Sequence, residues 1–224
     1  MIPGPVSLLV FFLCIVMGTA VLLAAKSKPL GAGLLAWLTV TGLLGWFGVV
    51  SNFHRLPPPM FALLLIAVVL SAGIALSKVG TRLLSEASIV WLVGIQAFRI
   101  AVEVFLDWGH RAGLVPIQMT FEGRNWDIVS GVSAVGVAWL AAKKQAPRWL
   151  IFFWNCVGVA LLFNIVVIAI LSMPTPLRHF HNEPANRFIA YFPYIWLPTF
   201  LVPLALFGHL LVFRWLRATR SGKA

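Results

Sequence analysis

Acidic side chains are scarce in this chain: six Asp and Glu among 224 residues, against seventeen Lys and Arg. Charges of both signs make up 10% of the sequence, where a soluble domain carries about 25%. That shortage excludes an ordinary soluble enzyme and a disordered tail. There are two cysteines, Cys14 and Cys156, each inside an apolar run, with no C-x-x-C partner and no ligand spacing. A secreted disulfide scaffold is therefore excluded, and both read as buried free thiols. No lysine lies between Arg187 and Arg214, which rules out a retinal Schiff base on the last apolar run. No Gly-rich phosphate loop, no G-x-S-x-G elbow and no histidine pair at i,i+4 occurs.

What is present is apolar surface. Hydrophobic residues make up 61% of the chain, against roughly 45–50% in a soluble domain. About 20 apolar residues are needed to cross a hydrocarbon core as a helix. Residues 1–25 carry no charged side chain. The gaps Lys28–Arg55, Arg55–Lys78, Arg148–Arg178 and Arg187–Arg214 leave 26, 22, 29 and 26 uncharged positions. With two less clean segments, these give an all-α, polytopic transmembrane bundle of seven helices in a single domain. The expected spans are about 5–25, 31–51, 59–77, 83–108, 127–142, 149–172 and 190–213. The start, Met1-Ile2-Pro3-Gly4-Pro5, has no basic stretch before its apolar run, so the first span reads as retained and not as a cleaved signal.

The net charge of +11 would suggest nucleic acid in a soluble chain. Here the bases sit in short clusters between apolar runs, so no nucleic-acid partner is expected. Lys26/Lys28, Lys78/Arg82, Lys143/Lys144/Arg148 and Arg214/Arg217/Arg220/Lys223 follow spans 1, 3, 5 and 7. These are 11 of the 17 basic residues, and only five, Arg55, Arg111, Arg124, Arg178 and Arg187, fall in the opposite loops. By the positive-inside rule the N-terminus lies outside and the C-terminus in the cytoplasm.

The fourth span carries the strongest signal. At 100° per residue, Arg99, Glu103, Asp107 and His110 fall within an arc of about 80° and climb one face over about 16 Å. A charge at mid-membrane costs about 2.5–3.5 kcal/mol on insertion scales, so such residues face protein or water. Arg99 and Glu103 can pair at i,i+4. Two readings stand: an outward vestibule with a fixed cation and carboxylates, or ion pairs tying this helix to its neighbours. Asn164 is expected at the same depth, Asp127 at the outer start of span 5, and Asn155 deeper. His54, His110, His179 and His181 all map to the outer face, which allows a zinc or copper site with Asp107 or Glu183. His209 lies near the inner face, as a helix–helix hydrogen bond. Gly42, Gly45 and Gly48, and Ser130, Gly131, Ser133, Ala134 and Gly136, read as close-packing surfaces. Trp108, Trp126, Tyr191, Tyr194 and Trp196 read as an interfacial aromatic belt. Pro198 and Pro203 predict a kinked or locally unwound helix.

The span count resembles the seven-pass zinc amidases, but the H-x-x-x-H pair of that superfamily fails here, because Phe213 follows His209 at i+4. A closer resemblance is to a family of uncharacterised bacterial seven-pass membrane proteins. It rests on Phe98-Arg99-Ile100 with Glu103, on Met119-Thr120-Phe121-Glu122-Gly123-Arg124-Asn125 with Asp127, on Asn182-Glu183-Pro184-Ala185-Asn186, and on Ile195-Trp196-Leu197-Pro198 with His209. That resemblance covers roughly the second half of the chain. It implies residence in a bacterial cytoplasmic membrane and draws attention to Arg99, Glu103, Glu122, Arg124, Asn125, Asp127, Asn182 and Glu183. The loops bearing Glu122–Asp127 and Asn182–Glu183 are expected to close over the vestibule.

Three functions follow as expectations. The first is binding or transport of a small anionic molecule or lipid in an outward-facing polar cavity, with Arg99 holding the anion. The second is a membrane-embedded enzyme at the outer leaflet, using Glu122, Asp127 and the histidines, with zinc or copper. The third is a structural subunit or scaffold. In all three the lipid bilayer is the constant partner.

Overall fold

A computed structural model describes residues 4–220, so Met1–Pro3 and the expected basic Lys223 lie outside the described residues. The long helices are α1 (Gly4–Ala25), α2 (Lys28–Trp46), α3 (Pro59–Leu76), α8 (Arg148–Leu171) and α9 (Val202–Arg220). Between α3 and α8 lie α4 (Lys78–Glu86), α5 (Ile89–Gly94), α6 (Phe98–Arg111) and α7 (Asp127–Ala142). A 3₁₀ turn, Ile95–Ala97, joins α5 to α6 into one run of 23 residues, and a π-helical turn, Leu197–Leu201, leads into α9. Among the described residues, six runs are long and apolar enough to cross a membrane. The chain is an all-helical, multi-pass membrane protein.

Local chemistry sets the boundaries. Prolines open α2, α3 and the π turn, where a missing N–H costs nothing. Ser77 caps α4 by accepting from the Val79 N–H at 3.1 Å, and Ser88 caps α5 from the Trp91 N–H at 3.2 Å. Those two caps move the fourth span. It was expected over 83–108, but the run is 89–111, and residues 78–86 form a separate helix. In that helix Leu83 and Gly80 are buried while Lys78, Arg82 and Glu86 point outward. Glu86 is thus paired with Arg82 at 3.0 Å on the surface and is no longer a charge inside a span. Spans 2 and 7 also shift, to Lys28–Trp46 and Leu197–Thr219.

Two apolar cores hold the bundle. One joins α1 and α6 to the irregular segment 188–201, through Phe105, Tyr194, Ile195 and Phe200. The other joins α5, α7, α8 and α9, through Leu92, Ala134, Trp154 and Leu211. Small residues allow the approach. A methyl on Gly131 would meet the Ile100 backbone N at 2.9 Å, and one on Gly45 would meet the Phe192 backbone N at 2.9 Å. Many large apolar side chains point outward, among them Phe12, Leu35, Leu65, Phe163 and Trp139, as lipid-facing surface requires.

The aromatic belt is smaller than the sequence suggested. Trp108, Trp126 and Tyr191 are exposed, but Tyr194 and Trp196 are core residues. The Tyr194 hydroxyl is 2.8 Å from the Ser7 hydroxyl, and Trp196 donates to the Leu38 carbonyl at 3.1 Å. The expected irregularity at Pro198 is present as the π turn, where Trp37 donates to the Thr199 carbonyl at 2.9 Å.

Candidate functional site

Arg99 sits one residue into α6, 2% exposed, and turns toward α7, α8 and α9. Its Nε donates to Asp127 Oδ2 at 2.7 Å, and Nη2 pairs with Asp127 Oδ1. Nη1 donates to the Ser130 hydroxyl at 2.8 Å and lies 3.0 Å from His209 Nε2. Both terminal nitrogens reach the Gly158 carbonyl, at 3.3 and 3.4 Å. A guanidinium offers five N–H groups and no acceptor. All five point at acceptors here, so none is left for an anion.

That geometry fixes the histidine tautomer. Arginine only donates, so His209 Nε2 accepts and Nδ1 carries the hydrogen. Nδ1 then donates to Asn155 Oδ1 at 2.8 Å, and Asn155 Nδ2 returns to the His209 carbonyl at 3.2 Å. Gly158 leaves the room: a methyl there would lie 2.9 Å from His209 Nε2 and 3.0 Å from the Ser130 hydroxyl. Because arginine does not release its proton, this chain of bonds is a lock between helices and not a proton wire.

The expected Arg99–Glu103 pair is replaced by two separate partnerships. Asp127, at the first turn of α7, takes Arg99. Glu103 takes Asn125, whose Nδ2 donates to Glu103 Oε1 at 2.6 Å and to the Met119 carbonyl at 3.1 Å. Asn125 Oδ1 in turn accepts the Asp127 N–H at 3.1 Å, which holds the entry to α7. Glu103 is 1% exposed, and its second oxygen, Oε2, has no partner. A buried polar atom without a partner calls for an explanation.

Beside Glu103 lies a cavity of about 90 Å³ between α3, α6, α8 and the π turn. Its walls are Met60, Val102, Leu106, Leu162, Ile165, Leu197, Pro198 and other apolar side chains. Among the described residues, Arg99, Glu103 and Asp127 supply its charged lining. The loops after α6 and α8 meet over this end. Gln118 Nε2 donates to the Ser172 hydroxyl at 2.8 Å, and Asn182 Nδ2 donates to Gln118 Oε1 at 2.8 Å. Asn186 ties the second loop to the Ala169 carbonyl at 2.9 Å.

The remaining expected residues lie outside the cavity. Asp107 pairs with Arg111 at 2.8 Å, and Glu122, half exposed, is 3.5 Å from the same guanidinium. Arg124 lies over the Phe180 ring at 5.3 Å, while its carbonyl accepts from Asn164 at 2.9 Å. Asn164 therefore pins a loop to α8 and does not complete a polar pocket. Glu183 accepts the Ala185 N–H at 2.7 Å and pairs with Arg178 at 3.0 Å. The Ala185 N–H first, and Arg178 second, hold its carboxyl below the usual glutamate range.

The four outer histidines are not brought together as a metal site. Among the described residues no three His, Cys, Asp or Glu side chains group as ligands. His110 uses Nδ1 on the Val115 carbonyl at 2.9 Å, and His179 packs edge-on against Phe180. Residues on one face of a membrane are not thereby neighbours. Conversely, His209, Asn155, Ser130 and Gly158 join Arg99 although no single-helix spacing links them.

No curated protein and no solved structure matches the chain. A family pattern does match residues 56–217, from the loop before α3 to the end of α9, and so includes every residue of the Arg99 and Glu103 networks. The chain belongs to that family, described as a domain of unknown function, DUF8737.

Proposed function

We propose that the protein binds an amphipathic small molecule or lipid in the cavity beside Glu103, in a bacterial cytoplasmic membrane. The observation that carries this reading is Glu103 Oε2, an acceptor without a partner on the wall of an apolar hollow. An apolar cavity of that size stays dry or takes an apolar ligand. A buried polar oxygen left there costs free energy until a hydrogen-bond partner arrives. The fitting ligand thus carries an aliphatic part for Met60, Leu106, Ile165 and Leu197, and a hydroxyl or ammonium for Oε2. This reverses the sign of the headgroup expected from sequence. An anion would need Arg99, and Arg99 has no N–H to give.

The test compares amphiphiles of one chain length on the full chain in mild detergent, read by thermal shift. Alkyl alcohols and alkylamines are expected to raise the melting temperature, and alkyl sulfates are not. Glu103→Leu removes the acceptor and is expected to abolish the response to donors. Equal responses to all headgroups, unchanged in Glu103→Leu, would leave the cavity without a binding role. A scaffold reading has one observation in its favour, the saturation of Arg99, which suits a structural lock. It expects no amphiphile to bind at all.

A further inference from the structure

A second hollow lies at the opposite end of the bundle from the loops over Glu103. It occupies about 590 Å³ where the start of α8 meets the ends of α9 and α3. Arg148, Arg214 and Arg217 line it together with Trp149, Phe152 and Leu76, and among the described residues no acidic side chain does. We infer that this hollow holds the phosphate of an anionic phospholipid, with the acyl chain running down its apolar wall.

The site is built rather than merely charged. Arg214 Nη1 donates to the Ala75 carbonyl and at 3.4 Å to the Ser77 carbonyl, and Nη2 donates to Thr81 Oγ1 at 2.6 Å. These bonds satisfy the Ala75 carbonyl at the end of α3 and hold the guanidinium against the start of α4. Arg148 Nη2 donates to the Leu216 carbonyl at 2.5 Å, which ties α8 to α9. Among the described residues, Arg214 Nε and Arg148 Nε and Nη1 have no hydrogen-bond acceptor. Two anchored arginines with donors to spare suit a phosphate better than flexible lysines do, because the planar fork is pre-organised.

The wall distinguishes a lipid from a free phosphate ion. Trp149 is 69% exposed, Leu76 64% and Phe152 53%, so all three stand on the lipid-facing side of the hollow. Inorganic phosphate would leave that surface uncovered. An acyl chain covers it, and tryptophan suits the level where chain meets headgroup. The same end of the bundle carries Lys26, Lys78, Lys143 and Lys144, none of which lines the hollow.

The test uses the full chain in nanodiscs of phosphatidylcholine with increasing phosphatidylglycerol, and counts retained lipid by native mass spectrometry. Arg148→Gln and Arg217→Gln are each expected to weaken phosphatidylglycerol retention about tenfold, as loss of a charge-assisted contact to the phosphate. Lys143→Gln with Lys144→Gln, at the same end but outside the hollow, is expected to change it little. Arg148→Lys keeps the charge without the fork and is expected to fall between. Equal losses in the lysine and arginine variants would assign the effect to diffuse surface charge and overturn the site. Displacement of the lipid by millimolar inorganic phosphate would overturn the lipid in favour of the free ion. Arg217 is exposed, so its variant gives the reading alone if Arg148→Gln does not fold.

Discussion

A single arginine organises the centre of this molecule. Arg99 is stable in the membrane interior because Asp127 neutralises it and three further groups take its remaining hydrogens. Removing one partner of a buried ion pair leaves the other charge uncompensated, at about 3–5 kcal/mol. Asp127→Asn is therefore expected to lower the melting temperature sharply in detergent, while Arg99→Leu combined with Asp127→Leu recovers much of the loss. A double variant no better than Asp127→Asn would show that the pair is not what the fold depends on. Little of this was visible from one helix. The 3.6-residue repeat put Arg99 and Glu103 on one face correctly, and that alone suggested they pair. Their actual partners lie 28 and 22 residues along the chain, and His209 lies 110 away. A helical repeat says which residues share a face and nothing about what the neighbouring helix presents to it. The outer histidines make the same point in reverse, since shared membrane depth did not bring them together.

Among the elements, the loop from Ser172 to Arg187 decides whether the cavity is closed. Its fold depends on Glu183, which anchors the Ala185 N–H and the Arg178 side chain at once. Because that carboxyl is held below its ordinary value of 4.5, its contribution is present above that value and is lost as pH falls through the lowered one. Acidification below that ordinary value is thus expected to loosen this loop first, seen as faster amide exchange at Ala185. Glu183→Gln should exchange faster at neutral pH and lose the acid-dependent step. An acid step that persists in Glu183→Gln would belong to another group. The element boundaries were legible where the signals were local. Prolines before α3 and α8, and Pro29 in the first turn of α2, mark the starts, and α7 was expected at 127–142 and is found there. The fourth span was misplaced because an apolar count does not weigh caps. Ser77 and Ser88, each accepting from an N–H just downstream, cut out an amphipathic helix that the count had merged with the span.

The whole molecule raises the question of the seventh crossing. α7 has 16 residues and rises about 24 Å, short of a hydrocarbon core of about 30 Å. Its outer end does not need lipid, because the loop after α6 folds over it. Gln118, Met119 and Thr120 are buried in that loop, and Asn125 fastens it to Glu103 and to the Asp127 N–H. A short helix topped by packed protein is the arrangement that a seventh crossing would need, and the labelling pattern below tests for it. With α7 counted, every strongly basic segment of the described chain falls at one end, and the loops that close over Glu103 fall at the other. On a seven-pass topology the positive-inside rule predicts that the Arg148 hollow faces the cytoplasm and the Glu103 end faces outward. With Cys14 and Cys156 replaced by alanine, Lys144→Cys is expected to resist a membrane-impermeant thiol reagent in intact cells, while Gly113→Cys and Asn182→Cys react. The reverse pattern would invert the protein. Reaction at Asn182→Cys but protection at Gly113→Cys would mean that the loops on either side of α7 and α8 do not share a face. In that case the cap over Glu103, and the cavity it covers, would have to be given up together.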